Sequence, residues 1–262
     1  MSTSSLRIDR HGAVMVLENQ DPPFNRMGFD FMDALEDAVL ALPSDTTTRA
    51  VVITAAGTDH FSVGMDLKQL QAQAHLRGGF EAVLDQRLRV LSMIENLHIP
   101  VIATLFGYCL GGGLELPLAC HFRLAASEGV QMGLPELDLG TVPAWGGTAR
   151  LTRTVGRAHA LDMILRARKV DGPTALAMGL VHELHPLDVL KERAIALAQE
   201  LAAQAPIAVS GVLQAVVGAG ELPLEQALLA ERQAVLRCSS SQDQAEGMRA
   251  FMEKRRPVFK GQ

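Results

Sequence analysis

Val101-Ile102-Ala103-Thr104-Leu105-Phe106-Gly107-Tyr108-Cys109-Leu110-Gly111-Gly112-Gly113-Leu114-Glu115 is the stretch on which the fold turns. Val101–Leu105 is an apolar run of strand length, of the kind a sheet covered on both faces uses. Three glycines follow, and a short helix is predicted from Leu114. A strand that runs through glycines into a helix leaves the first helical N–H groups without partners and places the positive end of the helix dipole at the junction. Glycine lets a ligand approach that backbone closely. A developing negative oxygen would be stabilised there. The plainer reading is a tight turn with no further role. Gly111-Gly112-Gly113-Leu114-Glu115-Leu116 does not fit the GxGxxG dinucleotide pattern, and no GxxxxGK[ST] phosphate loop is present.

A second junction of the same type lies upstream. Ala50-Val51-Val52-Ile53-Thr54 reads as a buried strand and Gly57–Gly64 as a loop, and Asp66 opens a helical region. If the two strands are parallel neighbours, the loops bearing Phe61–Lys68 and Gly107–Glu115 aim N–H groups at one point. That is oxyanion-hole geometry, in which each donor typically contributes ~3–4 kcal/mol to the barrier. Neither loop carries a GxSxG nucleophile elbow, and no Ser–His–Asp set is recognisable. His60 and Ser62 read as ordinary loop residues.

Outward from these loops, Ala13–Leu17 predicts an early strand closed by the turn-rich Asn19–Pro23. Met27, Phe31, Leu35, Ala38 and Val39 recur at helical spacing and predict a helix over Met27–Leu42. Phe80, Val83, Leu84, Leu88, Leu91 and Ile94 predict another, broken from its predecessor by Gly78-Gly79. Phe122–Ala126 reads as a strand. Beyond Gly146 the pattern turns helical, with helices predicted about Thr148–Thr154, Ala158–Ala167, Gly172–Gly179, Leu187–Ala205, Pro206–Val217, Pro223–Arg237 and Gln242–Arg255; Leu180–Leu184 alone is strand-like. An α/β core over residues 1–200 is therefore expected, followed by a helical segment over 201–262. Helices with an apolar face and no sheet to cover need a partner, so a homo-oligomer is expected.

The 262 residues are 48% hydrophobic and 20% charged, the balance of a soluble protein with a large core, and at 4% aromatic that core is built from aliphatic side chains. A net charge of −5 and the lack of a basic, aromatic-rich stretch argue against nucleic acid as partner. Cys109, Cys120 and Cys238 form no CxxC pair and have no His at metal-ligand spacing, so buried thiols are expected and no metal. The apolar runs are too short to span a membrane. Met1–Asp9 has neither an apolar nor an Arg-rich amphipathic stretch, and a cytoplasmic protein without a targeting peptide is expected.

Taken in order, Phe61-Ser62-Val63-Gly64-Met65-Asp66-Leu67-Lys68, Gly107–Glu115, Gly133-Leu134-Pro135-Glu136 and Gly146-Gly147-Thr148-Ala149-Arg150-Leu151 resemble the signature of the enoyl-CoA hydratase/isomerase (crotonase) superfamily. Near the end, Glu246–Arg255 and Pro257-Val258-Phe259 are similar too, so the resemblance spans almost the whole chain. It implies a crotonase-like α/β fold, a spiral of ββα units with C-terminal helices that build trimers, usually paired into hexamers. The backbone N–H groups of Met65 and Gly112 would form the oxyanion hole for an acyl-CoA thioester. Glu115 and Glu136 match the two glutamates that hold water in members that hydrate a 2-enoyl-CoA, the first activating water for attack at C3 and the second exchanging the proton at C2. No cofactor is implied, since coenzyme A is part of the substrate.

The physical chemistry agrees with this implication. A carboxylate is too weak a base to make an enolate from a thioester unless the enolate oxygen is stabilised at the same time. Two carboxylates around one water suit a reaction with two proton transfers, because like charges raise one pKa and leave one group able to donate. Taken singly, Glu115 is also what a helix start favours, and Glu136 is also an ordinary turn residue.

The same resemblance would place Val63, Gly64, Asp66, Leu67, Lys68 and Gly111 against the substrate, with Lys68 meeting coenzyme phosphate. Phe259 and Lys260 would reach the coenzyme pocket of a neighbouring subunit. Solvated surface positions are the plain alternative for Lys68 and Lys260. Four departures stand out. Met65 replaces the commoner alanine, and Asp21–Met27 lacks the usual Asn-Ala-Leu beside the adenine. Trp145, the only tryptophan, stands where small residues are usual, as an acyl-pocket wall or as plain core. Ala144 stands where dienoyl-CoA isomerases have aspartate. Hydration of a 2-enoyl-CoA is the leading expectation. Double-bond isomerisation, thioester hydrolysis and decarboxylation use the same scaffold, and a non-catalytic binding or assembly subunit is the reading from another class.

Overall fold

The computed structural model describes residues 4–220 and 222–262. Met1–Thr3, part of the stretch read for targeting signals, lie outside the described residues, as does Glu221 between two C-terminal helices. A six-stranded sheet runs in the order β1 (Leu6–His11), β2 (Val14–Asn19), β3 (Ala50–Ala55), β4 (Val101–Leu105), β6 (Phe122–Ala126), β8 (Glu183–His185). The β1–β2 pair is antiparallel and every other pair is parallel, with Ile53 opposite Ala103 and Ile102 opposite Phe122. Every residue of β2, β3 and β4 is buried, which is why these strands read as unbroken apolar runs.

Helix α7 (Leu187–Ala202) lies across the sheet and packs on β2, β3, β4, β6 and β8 through Leu190, Ala194, Ala198 and Ala202, a stripe at four-residue spacing. α4 (Gly112–Leu118) packs on β4 and β6 and is buried along its entire length. Between α4 and the loops that precede it lies a second, small sheet: β5 (Tyr108–Leu110) pairs in parallel with β7 (Gln131–Gly133). Ser62 bridges Cys109 on one side, and Val170 bridges Met132 on the other. β3, β4 and β6 thus each lead to a short extended segment in the second sheet and then to a helix, which is the expected ββα repeat.

Several boundaries differ from those predicted. β1, β5 and β7 were not anticipated. β1 is an edge strand exposing most of its residues, and the other two are three residues long; their strand character comes from the partner they meet rather than from their own periodicity. The strand expected at Leu180–Leu184 forms at Glu183–His185, because Leu180 and Val181 bury themselves in the preceding turn without joining the ladder. α1 (Phe29–Ala41) starts two residues later than its pattern suggests, capped by Gly28. α2 (Leu67–Gln73), with a 3-10 turn over Ala74–Arg77, and α3 (Phe80–Glu95) are parted by Gly78 and Gly79, both at positive φ, as expected. α5 (Gly147–Leu165) carries the expected break as a non-helical Gly156.

After α6 (Gly172–Ala177) and α7, the chain ends in α8 (Pro206–Ala219), α9 (Leu224–Ser239) and α10 (Gln242–Glu253). α8 and α9 pack against each other where Gly211 meets Ala234; a Cβ on Gly211 would lie 2.9 Å from the Ala234 Cβ. Little else here is buried, and Val216, Leu224, Leu228, Phe251 and Met252 are all more than half exposed. Among the described residues, no single helix is long and apolar enough to cross a membrane.

Candidate active site

The second sheet brings the two glycine-bearing loops together. Phe61 and Ser62 donate N–H bonds to the carbonyls of Phe106 and Tyr108, and the Leu110 N–H returns one to Ser62 O at 3.0 Å. Chain packing at this crossing leaves no room for side chains: a Cβ on Gly113 would lie 2.3 Å from Ser62 O, and one on Gly64 would lie 2.8 Å from Leu110 O and 3.1 Å from the Gly112 nitrogen. Gly64 also has φ +90°, so glycine is required there twice over. Gly112 is the first residue of α4, where no intrahelical acceptor exists. Among the described residues neither the Gly112 nor the Met65 N–H donates to a protein acceptor. The two N–H groups lie on adjacent segments.

Both donors border a cavity of about 280 Å³ at the crossing of the loops. Val63, Gly64, Met65, Leu67, Gly111, Gly112, Glu115, Glu136 and Trp145 line it, so most of the residues singled out in the sequence converge here. Leu70, Phe80, Leu84, Leu110, Pro135, Leu139, Thr141, Val142 and Ala144 complete the wall. Of these, Phe80 and Leu84 had been assigned only to a helix face; an apolar stripe in sequence does not say whether it meets core or cavity.

Glu115 is 2% exposed. Its Oε1 accepts N–H bonds from Trp145 at 2.7 Å and Gly147 at 2.8 Å, and a Cβ on Gly147 would lie 2.8 Å from that oxygen. The loop before α5 thus returns over α4 and fixes the carboxyl by one oxygen. Burial pushes the Glu115 carboxyl up to about 7, against the pull of the two backbone N–H groups, and Glu136 adds a smaller repulsion. Glu136 opens the 3-10 turn Glu136–Leu139, and its Oε2 is buried without a hydrogen-bond partner. Burial raises its pKa as well. Its Oε1 packs over Gly111, where a Cβ would lie 3.0 Å away and φ is +54°. Two carboxyl groups whose pKa burial raises thus share an apolar cavity with the two unpaired N–H donors.

Trp145 is both buried and part of the cavity wall. Its ring is fully buried, packs against Gly112 and lines the cavity; a Cβ on Gly112 would lie 2.4 Å from Cζ3. Behind it stands Arg87, unanticipated from sequence, 1% exposed and stacked on the Trp145 and Phe29 rings at 5.9 and 5.2 Å. Arg87 Nε has no partner, and burial holds its pKa down to about 10. Arg150 donates to the Trp145 carbonyl at 2.9 Å while paired with Glu95, steadying the same loop.

Four of the singled-out residues lie elsewhere. Asp66 caps α2, accepting from the Lys68 and Gln69 N–H groups, and Lys68 projects from the exposed first turn of that helix. Phe259 and Lys260 sit in the tail after α10, with the Phe259 carbonyl bonded to Arg49 and the Lys260 N–H to Asp243, and neither lines the cavity.

Residues 9–262 match the enoyl-CoA hydratase/isomerase family. A Bacillus subtilis (strain 168) protein named probable enoyl-CoA hydratase is 35% identical, with each chain covered over 100% of its length. The 2,3-dehydroadipyl-CoA hydratase of Escherichia coli (strain K12) is 33% identical over 98% of this chain and 99% of its own. The crystal structure of an enoyl-CoA hydratase from Bacillus anthracis superposes with a TM-score of 0.93 at 32% identity, covering 98% of this chain and 100% of that one.

Proposed function

Because the chain belongs to the enoyl-CoA hydratase/isomerase family, we propose that it is an enoyl-CoA hydratase whose reversible addition of water to a 2-enoyl-CoA is carried out by Glu115 and Glu136. The observation that carries this reading is the placement of two carboxyl groups with raised pKa in one cavity with two unpaired backbone N–H groups. Double-bond isomerisation needs a single proton shuttle; a second buried carboxyl group at the same site has its use in handling water.

In the hydration direction the thioester oxygen accepts from the Met65 and Gly112 N–H groups. Glu115, held through Oε1, keeps its other oxygen for the water and takes its proton as the water oxygen bonds to C3. The electron pair of the C2–C3 double bond moves onto the thioester as an enolate, which the two donors stabilise. Glu136, in its acid form, gives its proton to C2 and the enolate collapses. One carboxyl group ends protonated and the other ionised, so proton exchange between them or with solvent resets the site. Glu115, raised by burial to about 7, is close to balance between base and acid near neutrality, and burial raises Glu136 as well, which favours its acid form.

The half-exposed apolar faces of α8, α9 and α10 support assembly into a homo-oligomer, a trimer or a pair of trimers. In such an assembly Phe259 and Lys260 would reach a neighbour's coenzyme pocket. Hydration is tested by following the loss of the conjugated enoyl-thioester absorbance with crotonyl-CoA and longer 2-enoyl-CoAs. Turnover is expected, and its absence at every chain length refutes the hydratase reading.

A further inference from the structure

Most of the cavity wall is hydrocarbon. Glu115 and Glu136 are its only ionisable side chains, and no Lys, Arg or His is among the lining residues. Of the cations beside the wall, Arg150 is paired with Glu95, and Arg87 is buried against the Trp145 ring and is not among the lining residues. The apolar wall does not stop at the interior. Leu67 and Phe80 on one side, and Leu139 and Val142 on the other, line the same cavity while being 52%, 53%, 65% and 62% exposed. Large apolar side chains continuous with a cavity and more than half exposed make a track that leads out to the surface.

We propose that this site takes an uncharged aliphatic acyl chain whose tail leaves the cavity between Leu67/Phe80 and Leu139/Val142, and that it excludes acyl groups ending in a carboxylate. The inference rests on the hydratase reading and refines its substrate class. A carboxylate on a chain short enough to end inside the cavity, as in a six-carbon acyl group, would find no cation on the wall, would lose its hydration, and would face two other carboxyl groups. In this the chain should part from its Escherichia coli relative named for 2,3-dehydroadipyl-CoA, whose acyl group bears such a carboxylate. Each further methylene held along the track should tighten binding by about fourfold.

Calorimetric titration with the saturated analogues butyryl-, hexanoyl-, decanoyl- and adipoyl-CoA tests this without requiring turnover. Affinity is expected to rise at least about tenfold from butyryl to decanoyl. Adipoyl-CoA should bind at least about 100-fold more weakly than hexanoyl-CoA, which matches it in chain length. Val142→Lys, at the exposed rim, should narrow the adipoyl–hexanoyl gap, and Phe80→Asp should shrink the decanoyl–butyryl gap. Adipoyl-CoA binding as tightly as hexanoyl-CoA, or affinity flat from butyryl onward, overturns the proposal. If tight adipoyl binding is then abolished by Arg87→Met, Arg87 is the carboxylate receptor and the exclusion is wrong. A protein that shows the expected affinities but hydrates no enoyl-CoA refutes the hydratase reading and leaves the chain-class assignment standing.

Discussion

Glu115→Gln should make the protein inactive and, above neutral pH, more stable. The Glu115 carboxyl moves from 4.5, its ordinary value, to about 7 in the fold, chiefly through burial. Between those values the folded protein holds a proton that the unfolded chain has released, so wild-type stability falls as pH rises through this window. Above about 7 the full penalty applies. At ~1.4 kcal/mol per pH unit this amounts to about 3 kcal/mol. Glutamine is isosteric, carries no charge, and its Oε1 can still accept the Trp145 and Gly147 N–H bonds that hold the carboxylate. Urea denaturation at fixed protein concentration should therefore give nearly equal stabilities for wild type and Glu115→Gln at pH 4.5. At pH 8 the variant should be ahead by about 2–3 kcal/mol. Hydration of crotonyl-CoA by the variant should fall at least about 100-fold. A variant no more stable than wild type at pH 8, or a gap that does not grow with pH, would show that Glu115 does not bear the penalty assigned to it.

In the wild type, kcat/KM should increase with pH up to about 7 as Glu115 ionises, and Glu115→Asp should shift that limb if this group sets it. Glu136→Gln should lower kcat by about 100-fold or more with a small change in KM; deuterium incorporation at C2 of a saturated acyl-CoA, followed by NMR, should fall in parallel. Gly112→Ala would put a methyl group 2.4 Å from the Trp145 ring, so a loss of about 1–3 kcal/mol in urea denaturation and a large loss of turnover are expected. Asp66→Ala removes the acceptor for the Lys68 and Gln69 N–H groups, a loss of about 1 kcal/mol local to α2. Because α2 has no buried residue, hydrogen exchange of its amides should quicken while the global midpoint stays nearly unchanged.

What could be read in the sequence was what local pattern and an ordered set of motifs encode. The buried strands at Ala50 and Val101 and the glycine junctions were legible, because a strand–glycine–helix order is written contiguously, while the glutamates at 115 and 136 were singled out only through the ordered set of motifs. The short strands at Tyr108 and Gln131 were not, since three residues acquire a ladder only from the partner that tertiary structure brings alongside. The grip of the Trp145 and Gly147 N–H groups on Glu115 was equally hidden, for it spans 30 and 32 residues. Asp66 was legible as the opening of a helical region, an Asp directly before the helical run with Gln69 three residues on. Gln69 turns instead to the preceding helix, its Oε1 accepting the Phe29 N–H at 2.7 Å and tying α2 to the start of α1. Arg87 reads in sequence as one more charge on a polar helix face; only packing shows it enclosed by two aromatic rings.

The position of the one tryptophan has a practical consequence. Trp145 touches Gly112, donates to Glu115 and lines the cavity, so all the tryptophan fluorescence of the protein originates at this cavity. With a guanidinium stacked on its ring and a titrating carboxyl on its backbone, its emission should respond to acyl-CoA binding and to ionisation of Glu115 alike. No label is needed. The chain carries its own optical probe, and stopped-flow mixing with an unreactive acyl-CoA would time the filling of the site separately from the chemistry that follows.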